Sequence, residues 1–249
     1  MMTKQVPRIF DQARRTLRAM RAAQLGKRTQ PASWLAQQME QDTVERLQFM
    51  QRGPARSLVI GPTCGELAGW LSDSGSEVTS QSQLDEEQPL PSPPYNLITS
   101  INRLDTANDL PGALIHLRGA LAPDGLAIVH ILGAGSLSSL RQIMLAADDD
   151  RPAARVHPQV DTRSATGLLQ RAEFSRQVVD SHTLKVRFSS FGRLIADLRE
   201  QALTGVLADQ PPPVTKSGLA RARAAFDELR DDDGKVTETF EILTMTGWR

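Results

Sequence analysis

Along this chain the spacing of apolar positions changes period several times, and each change marks an element. From Pro7 to about Met50 the apolar positions fall mostly at three- and four-residue steps, through Trp34, Leu35, Met39, Val44, Leu47 and Met50, which predicts amphipathic helices. Gly53 and Pro54 break that pattern, and a β-branched run at 57–60 predicts a first strand that stops at Gly61 and Pro62 and resumes as a helix over 66–73. Gly75 ends the helix, Glu77, Val78 and Thr79 predict a short strand, and 80–94 is dense in Gln, acid and Pro, as a loop is.

Residues 95–101 predict the next strand, and Asp109 before Leu110 and Pro111 predicts a helix N-cap. A turn at Pro123, Asp124 and Gly125 leads into the most apolar strand, 126–132. Helices are predicted at 138–147, 163–172, 191–203 and 217–230, and strands at 178–188 and 237–246. Alternating strand and helix predicts an α/β fold with a mostly parallel sheet, and the last two strands predict an antiparallel C-terminal edge. The expected organisation is N-terminal cap helices over 1–52 packed on an α/β domain over 53–249, with a helical insertion at about 191–232.

Composition narrows the partners. Twenty-nine Lys and Arg balance twenty-nine Asp and Glu, with a sequence pI near 6.9, so no global charge favours nucleic acid. The sole cysteine, Cys64, excludes an internal disulfide and a multi-cysteine metal site. Its place in the central turn makes it a candidate nucleophile, but a small buried loop residue is the expected role. No apolar run reaches the roughly 20 residues that span a bilayer, and the N-terminus lacks the apolar core of a secretory signal, so a cytoplasmic protein is expected.

The basic first segment, with Arg14, Arg15, Arg18 and Arg21, could serve as a targeting peptide or an arm for RNA or membrane. The expected alternative is a helix packed through Leu17, Met20 and Leu25 with its arginines in water. His116, His130, His157 and His182 have no metal-ligand spacing, and no metal is expected. His130, at the end of the most apolar strand, is the one candidate base. Asp148 to Asp150 reads as a solvated helix end.

Several phrases carry a family resemblance: Asn-Asp-Leu-Pro-Gly-Ala-Leu at 108–114, Arg-Gly-Ala-Leu-Ala-Pro-Asp-Gly-Leu at 118–126, His-Pro-Gln-Val-Asp at 157–161, Leu-Leu-Gln-Arg-Ala-Glu-Phe at 168–174, and Thr-Phe-Glu-Ile-Leu-Thr-Met-Thr-Gly-Trp at 239–248. In their order these elements and phrases resemble the class I S-adenosylmethionine-dependent methyltransferases. The branch is the one that holds the malonyl-carrier-protein methyltransferase of biotin synthesis and a complex I assembly factor that hydroxylates arginine. The resemblance implies a Rossmann-like sheet and S-adenosylmethionine as cofactor.

It also implies a cofactor site at Ile60, Gly61, Pro62, Thr63, Gly65, Gln81, Asp85, Glu86 and Ser100, with Asn102 and His130 facing a substrate. The chain departs from the family pattern at Val59, where an acid usually meets the methionine amine, and at Thr63, where a second glycine is usual. From Gly65 to Asp85 there are only twenty positions where two helices and two strands would need roughly 45. The sheet is therefore expected to be shorter by about one helix and strand. Two functions stay open at this point: a methyltransferase acting on an unknown small molecule or protein, and an inactive relative kept as an assembly or interaction factor with a protein partner.

Overall fold

The computed structural model describes residues 7–26, 32–92 and 94–249. Its strands are β1 (Arg56–Ile60), β2 (Glu77–Gln81), β3 (Tyr95–Ile101), β4 (Leu121–Leu132), β5 (Ser175–Phe188) and β6 (Val236–Trp248). The helices are α1 (Gln12–Gly26), α2 (Trp34–Phe49), α3 (Glu66–Asp73), α4 (Leu110–Ala120), α5 (Ser138–Asp148), α6 (Thr162–Arg171), α7 (Phe191–Glu200) and α8 (Lys216–Glu228), with a short 3-10 turn at Leu104–Thr106.

The sheet order is β2-β1-β3-β4-β6-β5. The first four strands are parallel, and β6 pairs antiparallel with both β4 and β5. This is the mostly parallel, Rossmann-like α/β sheet with an antiparallel edge that the sequence predicts. Among the described residues, no helix or strand lies between β2 and β3, which is the predicted shortening. The chain leaves β1 toward β2 on one side, and β3 lies on the other, so the carboxyl ends of β1 and β3 flank a switch point, where ligands bind in open α/β sheets.

Apolar packing holds both faces. On one face α4 and α6 place Leu114, Leu117, Ala165 and Leu169 against Leu58, Ile98 and Val129 of the sheet. On the other, α5, α7 and α8 bring Ile143, Leu194 and Phe226 onto Phe240 and Ile242 of β6. Helix α2 bridges this second face: Leu35 and Met39 join the α7 cluster, whereas Leu47 packs with Leu67 and Leu71 of α3. Helix α4 begins as the sequence indicates, with the Asp109 carboxylate accepting from the Gly112 N–H at 2.9 Å. Asp109→Ala should cost about 1 kcal/mol, read as a lower urea midpoint at unchanged slope.

Helix α1 corrects an expectation. Leu17 and Met20 are 59% and 47% exposed, while Arg15 is 2% exposed. The helix is rotated so that arginine, not leucine, faces the protein, because an acid waits there.

Candidate functional site

A cavity of about 510 Å³ opens at the carboxyl ends of β1, β2 and β3. Gly61, Pro62 and Thr63 form its floor after β1, Gln81 ends β2 beside it, and Asn102 follows β3. Arg15 and Arg18 of α1 cover it, and Glu200 and Gln201 at the end of α7 close the side. Such a volume is in the range of small-molecule and cofactor sites.

Gly61 is required by the geometry. Its φ is +117°, and a Cβ there would sit 2.1 Å from the Ile101 carbonyl oxygen. Close approach of the two strand ends thus admits only glycine. Asn102 also takes a positive φ, +46°, with its N–H bonded to the His130 carbonyl oxygen at 2.8 Å. This geometry turns the residue out of the sheet and into the cavity wall, where its Oδ1 is buried without a hydrogen-bond partner. A buried oxygen without a donor is unfavourable unless a ligand supplies one.

Internal charges line the rest of the site. Glu86 is fully buried and accepts from Arg103 Nε at 2.6 Å and from Arg15 Nη2 at 3.2 Å. Arg15 also donates to Thr106 Oγ1 and to the Arg103 carbonyl oxygen. Two arginines thus share one carboxylate in the wall. Glu40 of α2 accepts from the N–H groups of Cys64, at 2.5 Å, and Leu67, at 2.8 Å. It supplies the negative charge that a helix N-terminus favours, so these amides at the start of α3 are taken by the protein itself. Burial pushes Arg18 down to about 10, while the Asp105 carboxylate pulls the other way.

Of the residues predicted for the site, Gly61, Pro62, Thr63, Gln81 and Asn102 meet at the cavity. The others do not. Ile60 is buried in the core beneath the sheet. Gly65 caps α3 in a left-handed conformation with open space in front of it. Asp85 is exposed, and its carboxylate accepts from the Glu87 N–H. Glu86 is consumed by the arginines. Ser100 is sealed in β3, its Oγ without a partner.

His130 is a correction. Its Nε2 lies 2.8 Å from Thr43 Oγ1 and its Nδ1 lies 3.1 Å from Thr244 Oγ1, so both ring nitrogens are used and the side chain is fully buried. It does not line the cavity. Cys64, expected buried, is exposed, and partial desolvation with nearby Glu40 and Glu66 pushes its thiol up to about 11, too high for a neutral-pH nucleophile. Of the acidic run that ends α5, Asp149 and Asp150 are exposed as expected, whereas Asp148 is largely covered and holds Arg155 at 2.5 Å. Among the described residues no group of His, Cys, Asp and Glu could hold a metal ion, and no helix is long and apolar enough to cross a membrane.

Sequence reasoning missed Arg15, Arg18, Arg103, Glu40 and Glu200. For Arg15 and Arg18 the signal was the density of charge in the first helix; Glu40, Arg103 and Glu200 lie on separate elements and carry no local signal.

Comparison with known proteins follows the same lines. No family model matches the chain. The human mitochondrial arginine hydroxylase NDUFAF5 is 28% identical over 184 residues, 72% of this chain and 53% of that protein. The malonyl-[acyl-carrier protein] O-methyltransferase of Halorhodospira halophila is 29% identical over 164 residues, covering 64% and 54%. The chain spans about half to two thirds of the length of the curated relatives it matches. Among solved structures, a putative methyltransferase of Bacillus halodurans matches with a TM-score of 0.50 at 13% identity, over 81% of this chain and 96% of that one. The 1,6-didemethyltoxoflavin-N1-methyltransferase of Burkholderia thailandensis, solved with S-adenosylhomocysteine, matches with a TM-score of 0.50 at 12% identity over 94% and 88%. At such identities these two structures speak for the fold.

Proposed function

We propose that this chain, a member of the class I S-adenosylmethionine-dependent methyltransferase-like family, binds S-adenosylmethionine in the cavity over Gly61 to Thr63 and acts as a methyltransferase. The observation that carries the reading is the 510 Å³ cavity at the switch point, walled by the glycine turn, Gln81 and the partnerless Asn102 oxygen.

The residues present fit the cofactor, with substitutions for the usual contacts. Asn102 Oδ1 would accept from the methionine ammonium in place of the absent acid at Val59. Gln81 would hold the ribose hydroxyls. When bound, the cofactor supplies an electrophilic methyl group on a sulfonium. The chain's own part is alignment and exclusion of water, through α1 above the cavity and α7 beside it, and alignment alone can lower such a barrier greatly.

A second reading has its own observation. Glu40 occupies the amides that open α3, and Glu86 with two arginines fills the wall beside Gly61, so the protein satisfies groups that a ligand could otherwise use. On that reading the chain is an inactive relative serving as an assembly or interaction factor. Isothermal titration of S-adenosylmethionine separates the two. Micromolar binding, weakened about tenfold or more by Thr63→Trp, is the expected result. Absence of binding at millimolar ligand would overturn the methyltransferase reading and favour the second.

A further inference from the structure

Beside the first cavity lies a second, of about 390 Å³, and Arg18 lines both. Its body is apolar, with Leu132 at the end of β4, Leu140 and Met144 of α5, Ile195 and Leu198 of α7, and Leu203 after it. Arg18 is the lining residue that the two cavities have in common. Asp105, two positions beyond Arg103, lines this cavity, and its Oδ1 is buried without a hydrogen-bond partner.

Arg18 does not neutralise Asp105 directly. Its two terminal nitrogens donate to the Thr204 carbonyl oxygen at 3.0 Å and to Thr106 Oγ1 at 3.3 Å. Among the described residues Asp105 forms no ion pair within 4 Å. The remaining charged groups of the wall are Arg155, held by Asp148, and Arg199, exposed at the rim. His157 accepts the Val206 N–H on Nε2, and burial pushes it down to about 4, so it is neutral at pH 7.

We propose that this second cavity takes an uncharged, largely apolar small molecule bearing a hydroxyl group, held between Arg18 and Asp105, and that the hydroxyl oxygen is the methyl acceptor. A carboxylate at this place would meet the Asp105 carboxyl, and an ammonium or guanidinium would meet Arg18, with Arg155 and Arg199 behind it. A hydroxyl can accept from an Arg18 N–H and donate to the Asp105 oxygen, which otherwise has no partner. An apolar body matches the aliphatic walls. Burial raises the proton affinity of Asp105, against the pull of Arg18, Arg15 and Arg103. With the methyl donor bound in the first cavity, the hydroxyl oxygen would bond to the methyl carbon, the methyl–sulfur bond would break to leave a neutral thioether, and the hydroxyl proton would pass to the Asp105 carboxylate.

The acceptor role rests on the reading of the first cavity as the methyl-donor site; selection by head group does not. The test titrates 2-naphthol, 2-naphthoate and 2-naphthylmethylammonium into the full chain at pH 7. These share one apolar body and differ in the head.

Binding of 2-naphthol about tenfold tighter than that of either charged probe is expected. Ile195→Trp, which fills the cavity, should abolish it, with Leu203→Trp as a second variant should the first fail to fold. Asp105→Ala should bring naphthol and naphthoate to similar affinities. Equal binding of the three probes, or naphthol binding that survives both tryptophan variants, would overturn the proposal. S-adenosylmethionine titrated into the same proteins reads the first cavity separately. If it fails to bind the parent chain while the naphthol pattern holds, the donor-site reading falls and the selective pocket stands.

Discussion

Replacing Glu86 by Ala should destabilise the protein by about 3–5 kcal/mol, more than any other single substitution considered for this chain. The reason is what remains behind. Arg15 and Arg103, with side chains 2% and 10% exposed, would keep their charges with no carboxylate between them. A buried ion pair compares poorly with well-packed apolar side chains, but removing one partner leaves the cost of desolvating the other. Here two partners are stranded at once.

The melting temperature should fall by roughly 6–20 °C for a chain of this size. Glu86→Gln, which keeps an acceptor and loses the charge, should fall between the parent and Glu86→Ala. Replacing all three residues together by Leu should recover most of the loss, since it removes every stranded charge. Thermal or urea unfolding of the four proteins checks the order. A loss under about 1 kcal/mol for Glu86→Ala would mean that water reaches the arginines and the cluster is not sealed.

This cluster also explains what could be read from the sequence. The sheet was legible because its central strands are apolar runs, and because some helices carry a capping side chain at their start, as Asp109 does for α4. Periodicity reports which elements form. It does not report which side of a helix turns inward when both sides carry amphipathic residues.

In α1, Leu17 and Met20 gave an apolar stripe, and the stripe is outside. The inward side is set by Glu86, seventy-one positions along the chain, and no local pattern records a partner at that distance. His130 failed for a related reason. Its position at a strand end suggested chemistry, but α2 crosses that end and lays Thr43 on the ring. The glycine turn succeeded because its requirement is local: two strand ends approach, and Gly61 must lie between them. Asn102 was legible for the same reason, as the residue that leaves β3 at its carboxyl end.

His130 carries the second large prediction, a loss of stability on acidification. Burial pushes the imidazole down to about 4, with Asp42 at 3.7 Å opposing the shift and Arg46 and His182 reinforcing it. In the unfolded chain the same group titrates near 6.5. Between these values the unfolded chain takes up a proton that the folded chain refuses. The contribution is therefore complete above about pH 6.5 and is lost as pH falls toward 4, by up to roughly 3 kcal/mol for this one residue.

His157, also pushed down to about 4 by burial, acts in the same direction, and less so because part of its ring meets solvent. Asp197 and Glu238, whose carboxyls burial pushes up, act in the opposite direction. A comparison of parent and variant at two pH values separates His130 from these groups. Urea unfolding at pH 7.0 and pH 4.5 should show His130→Gln losing about 2 kcal/mol less than the parent on acidification, because glutamine keeps polar contacts with Thr43 and Thr244 and cannot take the proton. Equal losses in the two proteins would mean that the ring is protonated in the folded state, and that Asp42 outweighs burial.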